Sequence, residues 1–284
     1  MIVAAVEMKI CRSIDHVMLR LLDMEPLFSL LTETLRLPVT WSLQHSEFAS
    51  FSWVHVGNTH LELWAARNNG DLPAECRLPL IHGLALEPDE LAFSTAELER
   101  RGMACKPPRP YQAVNEVGQS ITNFTNSVVF DLSSPTNCNF FCEWGLQASI
   151  VPWAKGVSTR ERRDAEQRRF ASMGGGPIGL VRLARVGVTC PDVARMKRHW
   201  RAVAQTEEDE ALAIGGVALA FQPGDQHQID SLSLEVRSLA EAQKFLQPRG
   251  LLERETTDTL TLCERATGGL VIHVVEADEA ATRT

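Results

Sequence analysis

No apolar run in this 284-residue chain approaches the roughly 20 residues that a helix needs to cross a bilayer. No membrane span is therefore expected. The chain also lacks a positive balance: its formal net charge is −8. A general nucleic-acid binder needs a basic face to neutralise phosphates, so that class is excluded. The opening residues, Met1 to Lys9, carry no basic stretch ahead of a long apolar one, and no secretion leader is expected. Cysteine is present but unpaired in pattern. The seven are Cys11, Cys76, Cys105, Cys138, Cys142, Cys190 and Cys263. An odd, scattered set fits reduced thiols in the cytoplasm. Cys138 and Cys142 have no second pair to make a zinc knuckle with. A Gly-rich phosphate loop, a serine nucleophile elbow and a dinucleotide fingerprint are all missing. Asn123-Phe124-Thr125 matches a glycosylation sequon, which means little without a secretion signal. The remaining composition, 44% apolar and 23% charged, is that of a globular protein able to bury a large core. A small molecule is the expected partner.

What the chain does have is an internal repeat. A strand, a helix and three further strands recur four times with a period of about 70 residues, the kind of symmetry that decides a fold. In the first unit, strands fit 12–21, 39–45, 49–56 and 59–66. Between the first two, Pro26 suits the first turn of a helix that reaches Leu35, with Asp23 as N-cap. The second unit has strand 78–86, a helix opened by Glu87-Pro88-Asp89-Glu90 and stopped at Gly102, then strands near 107–113, 124–132 and 138–145. Residues 155–173 are charged and end in Gly174-Gly175-Gly176-Pro177. A solvated spacer is the plain reading and a basic lid over an anionic substrate the sharper one. The third unit has strand 179–189, a helix from Pro191 to Ala204 and a strand region 212–222. The fourth has strand 229–236, helix 238–247 and strands 258–264 and 269–275. Three segments follow: 10–150, a linker 151–177, and 178–277.

Four residues fall at matching places in the first two units: His16 on a first strand, Glu62 on a last, His82 on a first and Glu143 on a last. Two imidazoles and two carboxylates balance a divalent cation, and N/O donors suit Zn, Ni, Co, Mn or Fe(II). A carboxylate set among Leu61, Leu63 and Trp64, or beside Phe141 and Trp144, is costly to bury without a partner, and a metal meets that cost. For one lone His or Glu, a satisfied core group is the plainer account. Four in register favour the metal.

The pattern resembles the vicinal oxygen chelate superfamily, which includes glyoxalase I, extradiol dioxygenases and bleomycin-binding proteins. The resemblance implies an α+β fold of four βαβββ modules paired into two domains with curved mixed sheets, and ligands on the first and last strands of each metal-bearing module. The order His16, Glu62, His82, Glu143 resembles bacterial glyoxalase I. Ile14-Asp15-His16, His60-Leu61-Glu62-Leu63 and Phe141-Cys142-Glu143-Trp144-Gly145 resemble a glyoxalase-like domain group, whose pattern often has a His before its third strand. His45 is therefore the alternative to His82 as second His. In the third and fourth units only Asp230 and His273 stand at comparable places, so 178–277 is expected to be metal-free, serving as scaffold, pocket wall or dimer surface.

Around the four, Trp64, Asn126, Phe141 and Arg20 are candidates to contact substrate. His45 and His60 are candidates to support the ligands from behind, and His55 reads as surface or supporting. The first functional expectation is a cytoplasmic metal-dependent lyase or isomerase working through a metal-stabilised enolate-like intermediate. Glu62 or Glu143 would move the proton, with Glu143 favoured because it ends its strand beside Gly145. The alternatives are an Fe(II) dioxygenase using His16, His82 and Glu143, and a metal-free protein that binds a small molecule.

Overall fold

The structure, a computed structural model, describes residues 8–70, 72–73, 76–114 and 117–277. The reading of residues 1–7 as free of a leader lies outside the described residues. None of the described helices is long and apolar enough to cross a membrane.

Alternating apolar and polar side chains build the first module as β1 (Ser13–Arg20), β2 (Val39–His45), β3 (Ala49–His55) and β4 (His60–Ala66). Helix α1 (Glu25–Ser29) follows β1 and runs on into a π-helical turn, Leu30–Thr34. Met24 holds the N-cap place expected of Asp23, whose Oδ1 accepts from the Glu25 N–H at 3.0 Å. The second module is β5 (Leu80–Glu87), α2 (Leu91–Arg100), β6 (Arg109–Val114), β7 (Ser120–Val128) and β8 (Phe140–Trp144). Gly102 follows α2 at φ +78°, where a side chain would be strained. β7 lies upstream of the expected 124–132, because Phe130–Leu132 turns into a 3-10 helix.

Helix α3 (Thr159–Ser172) occupies the charged connection, opened by a capping box between Ser158 and Glu161. It is not the solvated spacer expected: Arg162 and Phe170 are buried. Beyond it come β9 (Leu180–Cys190), α4 (Val193–Ala204), the two-residue β10 (Ala213–Ile214) and β11 (Val217–Pro223). This third module is short, with two later strands rather than three. The fourth is β12 (Gln228–Val236), α5 (Leu239–Leu246), β13 (Leu252–Glu255), β14 (Thr259–Leu262), α6 (Glu264–Thr267) and β15 (Val271–Glu276).

The strands form one large, curved, unclosed mixed sheet. In the first pair of modules the order is β2-β3-β4-β1-β5-β8-β7-β6, and in the second β10-β11-β9-β12-β15-β14-β13. β1 and β5 pair antiparallel at the centre of the first half, each with the last strand of its own module alongside in parallel. β9 and β12 do the same in the second half, with β11 beside β9 and β15 beside β12. This is the α+β arrangement of paired modules expected. The two halves meet in the ladder at Ile81 and Ile229.

The core lies between this sheet and the helices. Val17, Leu19, Leu61, Leu63, Leu84 and Leu86 face it. The β1–β5 register shifts between Ile14 and His16, leaving Asp15 in a bulge. Ile14 and Val17 can thus both enter the core while His16 and Met18 point to the other, concave face.

The turn joining β3 to β4 reaches the second half. Asn58 Nδ2 donates to the Leu183 carbonyl at 3.1 Å, and the Leu183 N–H donates back to Asn58 Oδ1 at 3.0 Å. Gly57 makes the approach possible. Its φ is +101°, and a Cβ there would lie 2.2 Å from the Val181 carbonyl oxygen. Gly57→Ala is expected to lower stability by about 2 kcal/mol or more, from backbone strain and the displaced strand. Gly250→Ala, at φ +64° with nothing within 4 Å of its Cβ, is expected to cost about 1 kcal/mol from strain alone. Urea unfolding midpoints of the two variants check the difference.

Candidate functional site

The concave face of the first half encloses a cavity of about 600 Å³. Its walls are aromatic: Trp41, Phe51, Trp53 and Trp64 come from β2, β3 and β4, and Phe124 and Trp144 from β7 and β8. The polar side chains, apart from the indoles, are few: His16, Glu62, Gln44, Asn126, Tyr111 and Cys142. Such a surface suits a flat, largely apolar molecule with a small number of oxygens. Two buried polar atoms in the walls have no hydrogen-bond partner in the protein, the Trp64 indole N–H and Asn126 Oδ1. Both atoms are closed off from solvent, so they are buried polar groups of the walls and not groups that a ligand in the cavity meets.

The polar centre is built around Asp15, which is fully buried in the β1 bulge. Its carboxylate accepts from Arg162 Nη2 at 2.7 Å, from the Trp144 indole N–H at 3.1 Å, and lies 2.8 Å from His16 Nδ1. Burial alone would raise its pKa, but Arg162, the hydrogen bond from His16 and Arg163 outweigh that and hold it well below the usual carboxylate range. An ionised carboxylate only accepts, so His16 Nδ1 is the donor. A neutral His16 then presents a bare Nε2 to the cavity. Facing it at 3.7 Å is Glu62 Oε2, while Glu62 Oε1 accepts from the Trp53 indole N–H at 3.2 Å. Two acceptors opposed across such a gap invite a proton donor between them.

The structure brings His16 and Glu62 together, with Trp64 and Asn126 in the walls as read from the sequence. Glu143 is elsewhere. On β8 the even residues Phe140, Cys142 and Trp144 face the cavity, in register with Val128, Asn126 and Phe124. Glu143, an odd residue, points away and is exposed. Its Oε1 accepts from the Leu91 N–H at 2.9 Å, serving the start of α2. Phe141 is likewise turned from the cavity, fully buried in the core, and Phe140 takes the wall position expected of it. His82 is not among the lining residues. The β5 residue paired with His16 is Ala85, and His82 stands where the β1–β5 register shifts between Met18 and Leu19. His45 is exposed on β2 with Nδ1 2.8 Å from Ser50 Oγ. Arg20 lies over the outer side of Trp64, its Cζ 5.4 Å from the ring centre.

His60 and His55 are not on the surface, the first of the two places read for them. They are only 2% and 1% exposed, and they pair directly across β4 and β3. Helix α3 brings Glu166 to them, with Oε2 3.1 Å from His60 Nε2. Burial pushes His55 down to about 3. Burial would raise Glu166, but His60 and Arg162 beside it hold it below its ordinary value. Nothing in the sequence near position 166 signalled this, since the helix reads as uniformly charged.

The metal expected from the fold resemblance needs three or four donors converging in the cavity. Among the described residues, the one group of three or more His, Cys, Asp or Glu side chains with ligand atoms all within 4.8 Å of one another is His55, His60 and Glu166. His16 and Glu62 therefore gather no third donor of that kind. Cys142 also lines the cavity, where burial and then Asp15 push its thiol well above the usual range, but its sulfur does not group with His16 and Glu62 within that distance. The cavity donors do not fit the four-ligand centre.

No family model and no curated protein matches the sequence. Solved structures do match. A variant of homoprotocatechuate 2,3-dioxygenase from Brevibacterium fuscum aligns with TM-score 0.59 at 11% identity, covering 97% of this chain and 74% of that one. An extradiol ring-cleaving dioxygenase from B. fuscum gives 0.58 at 11% identity, with the same 97% and 74% coverage. A hypothetical protein from Staphylococcus aureus gives 0.55 at 10% identity, covering 93% of this chain and 99% of that one. At such identity the likeness is one of fold.

Removing one partner of a buried ion pair strands the other charge. Arg162→Ala is expected to cost about 3–5 kcal/mol, whereas Arg168→Ala, on the exposed side of α3, stays within about 0.5 kcal/mol. Asp15 has a depressed folded pKa, so its contribution is present above the unfolded carboxylate value and is lost as pH falls through the lower folded one. In Arg162→Ala, burial still pushes Asp15 up while its strongest offset is gone, so the gap should be widest at neutral pH, begin to narrow as pH falls through the variant's raised value, and narrow further as pH passes below the ordinary carboxylate range. Denaturant unfolding across pH measures both.

Proposed function

We propose that this chain, which has the vicinal oxygen chelate fold, is a lyase or isomerase that moves a proton on a flat small molecule held among the cavity's indoles. The observation that carries this reading is the opposed pair His16 Nε2 and Glu62 Oε2, 3.7 Å apart at the cavity wall, with His16 held from behind by Asp15.

In this reading His16 is the general base. Its Nε2 takes a proton from a carbon next to a carbonyl of the substrate, and the imidazolium formed is stabilised by the Asp15 carboxylate. The electron pair moves toward the substrate oxygen, where the amide of Asn126, in the cavity wall, is the uncharged polar side chain on β7 that can meet the growing charge. Returning the proton to the neighbouring atom completes an isomerisation. Expelling a leaving group instead completes an elimination. Glu62, fixed by the Trp53 indole, accepts a substrate hydroxyl and supplies or removes the second proton. Stacking on Trp53, Trp64 and Trp144 sets the plane of the ligand.

A ring-cleaving dioxygenase reading would need iron ligands that converge in the cavity, and His16 with Glu62 provides two. Metal-free capture of a small molecule, without chemistry, is the second reading. The aromatic walls favour it equally, but the Asp15–His16 pair gives it no role.

The test uses enolisable aryl hydroxyketones in deuterated water, followed by NMR for solvent deuterium entering the carbon next to the carbonyl. Wild type should accelerate exchange, and His16→Ala and Glu62→Gln should each lose about a hundredfold or more. Quenching of indole fluorescence reports binding separately. Quenching without exchange would favour the binding protein, and undiminished exchange in His16→Ala would overturn the assignment of the base.

A further inference from the structure

Apart from the cavity, His55, His60 and Glu166 converge where α3 packs onto β3 and β4. His60 Nδ1 lies 3.1 Å from the Asp15 carbonyl oxygen. A carbonyl can only accept, so Nδ1 carries the hydrogen and a neutral His60 directs the lone pair of Nε2 at Glu166. Two electron-rich atoms then stand 3.1 Å apart in a buried site. Either a proton or a cation must lie near them. A proton between the two makes an ordinary hydrogen-bonded pair, and a metal ion at the apex of a triangle is the other occupant that the separation admits. Adjacent ligands on a metal at about 2.1 Å lie about 3.0 Å apart at octahedral angles and about 3.4 Å at tetrahedral ones, a range that includes the 3.1 Å between His60 Nε2 and Glu166 Oε2. A third donor, His55, stands within 4.8 Å of both, its Nδ1 also accepting from the Gly57 N–H at 3.4 Å, and a third ligand is what separates a metal site from an ion pair.

The charges also fit. Asp15 has Arg162, at 2.7 Å, and Glu87 has Arg163, also at 2.7 Å. Of the three buried or half-buried carboxylates around α3, Glu166 is the one with the histidines rather than an arginine as its close partner.

We propose that His55, His60 and Glu166 bind one divalent transition-metal ion, of the zinc, cobalt or iron(II) class, that staples α3 to the sheet. Two imidazoles and a carboxylate suit borderline cations of this kind. The site is closed, with both histidines buried, so the ion acts as a clamp and not as a second reaction centre. Its effect reaches the cavity through the helix. Glu166 stands four residues after Arg162, one turn on and on the same helical face. An ion holding Glu166 therefore holds Arg162 against Asp15, and Asp15 sets the direction of His16.

The experiment strips the full-length protein with a chelator and titrates it with Co(II), then Zn(II), following visible absorption and displacement. One equivalent of Co(II) should bind, with d–d bands of a nitrogen–oxygen site, and Zn(II) should displace it. Glu166→Gln keeps the shape of the side chain and should weaken Co(II) binding at least tenfold. His60→Ala should do the same. His16→Ala and Glu62→Gln should still take up the full equivalent, so the result is independent of the proposed chemistry in the cavity. Thermal unfolding of wild type should rise with metal, while that of Glu166→Gln should not. Stripped wild type that binds no Co(II), or full binding in Glu166→Gln, would overturn the staple. Loss of metal in His16→Ala with retention in Glu166→Gln would place the ion in the cavity and overturn it as well.

Discussion

A carboxylate with no exposure to water is the constraint on which the first half of the molecule depends. Asp15 sits in a bulge of the central strand, and its burial is tolerable because an arginine, an indole and an imidazole all donate to it. Those three partners come from α3, β8 and β1. One charge thus fixes where the connecting helix lies, how the wall of the cavity is turned and which nitrogen of His16 faces a ligand. The bulge itself is what puts Asp15 and His16 within reach of each other, since ideal alternation would send neighbours to opposite faces.

The repeat was used unequally. Both halves keep paired first strands at their centre, but the first half carries the aromatic cavity and its polar pair. In the second half the two residues at comparable places are taken up locally. Asp230 accepts from Gln222 Nε2 at 2.7 Å and from Ser231 Oγ at 2.8 Å, and His273 Nδ1 lies 3.1 Å from Thr261 Oγ1. Within the first half the duplication is again broken. Module one places His16 and Glu62 on the concave face, while module two places Ala85, Phe140 and Cys142 there. A centre that two modules could share has become one that a single module supplies, with the other giving the apolar wall.

Much of the architecture was legible because strands alternate and Pro and Gly punctuate. β2 ran where it was read, and α2 stopped before Gly102. His16, Glu62, Trp64 and Asn126 were legible for the same reason: each lies on a strand with one clearly apolar face. β8 was not. Phe140, Phe141, Cys142 and Trp144 are bulky or apolar on both faces, so alternation could not say which face looked inward, and Glu143 was turned the wrong way by one residue. His82 was misplaced by a register shift, which no single strand announces. Helix α3 was hidden more thoroughly. Its buried groups are Arg162 and Phe170 among exposed charges, and a helix that docks through arginine leaves no apolar stripe to read. The worth of Asp15 and Glu166 depended on that helix, so both were invisible as parts of a site.

The docking of α3 also bears on how the chain can be cut or fused. The strands of the first two modules end with Trp144, yet the base that neutralises Asp15 arrives eighteen residues later, at Arg162. Up to β8 the Asp15 carboxylate has His16 and Trp144 beside it but no full positive partner, and a cut or fusion point placed between Trp144 and Thr159 would part it from its arginine.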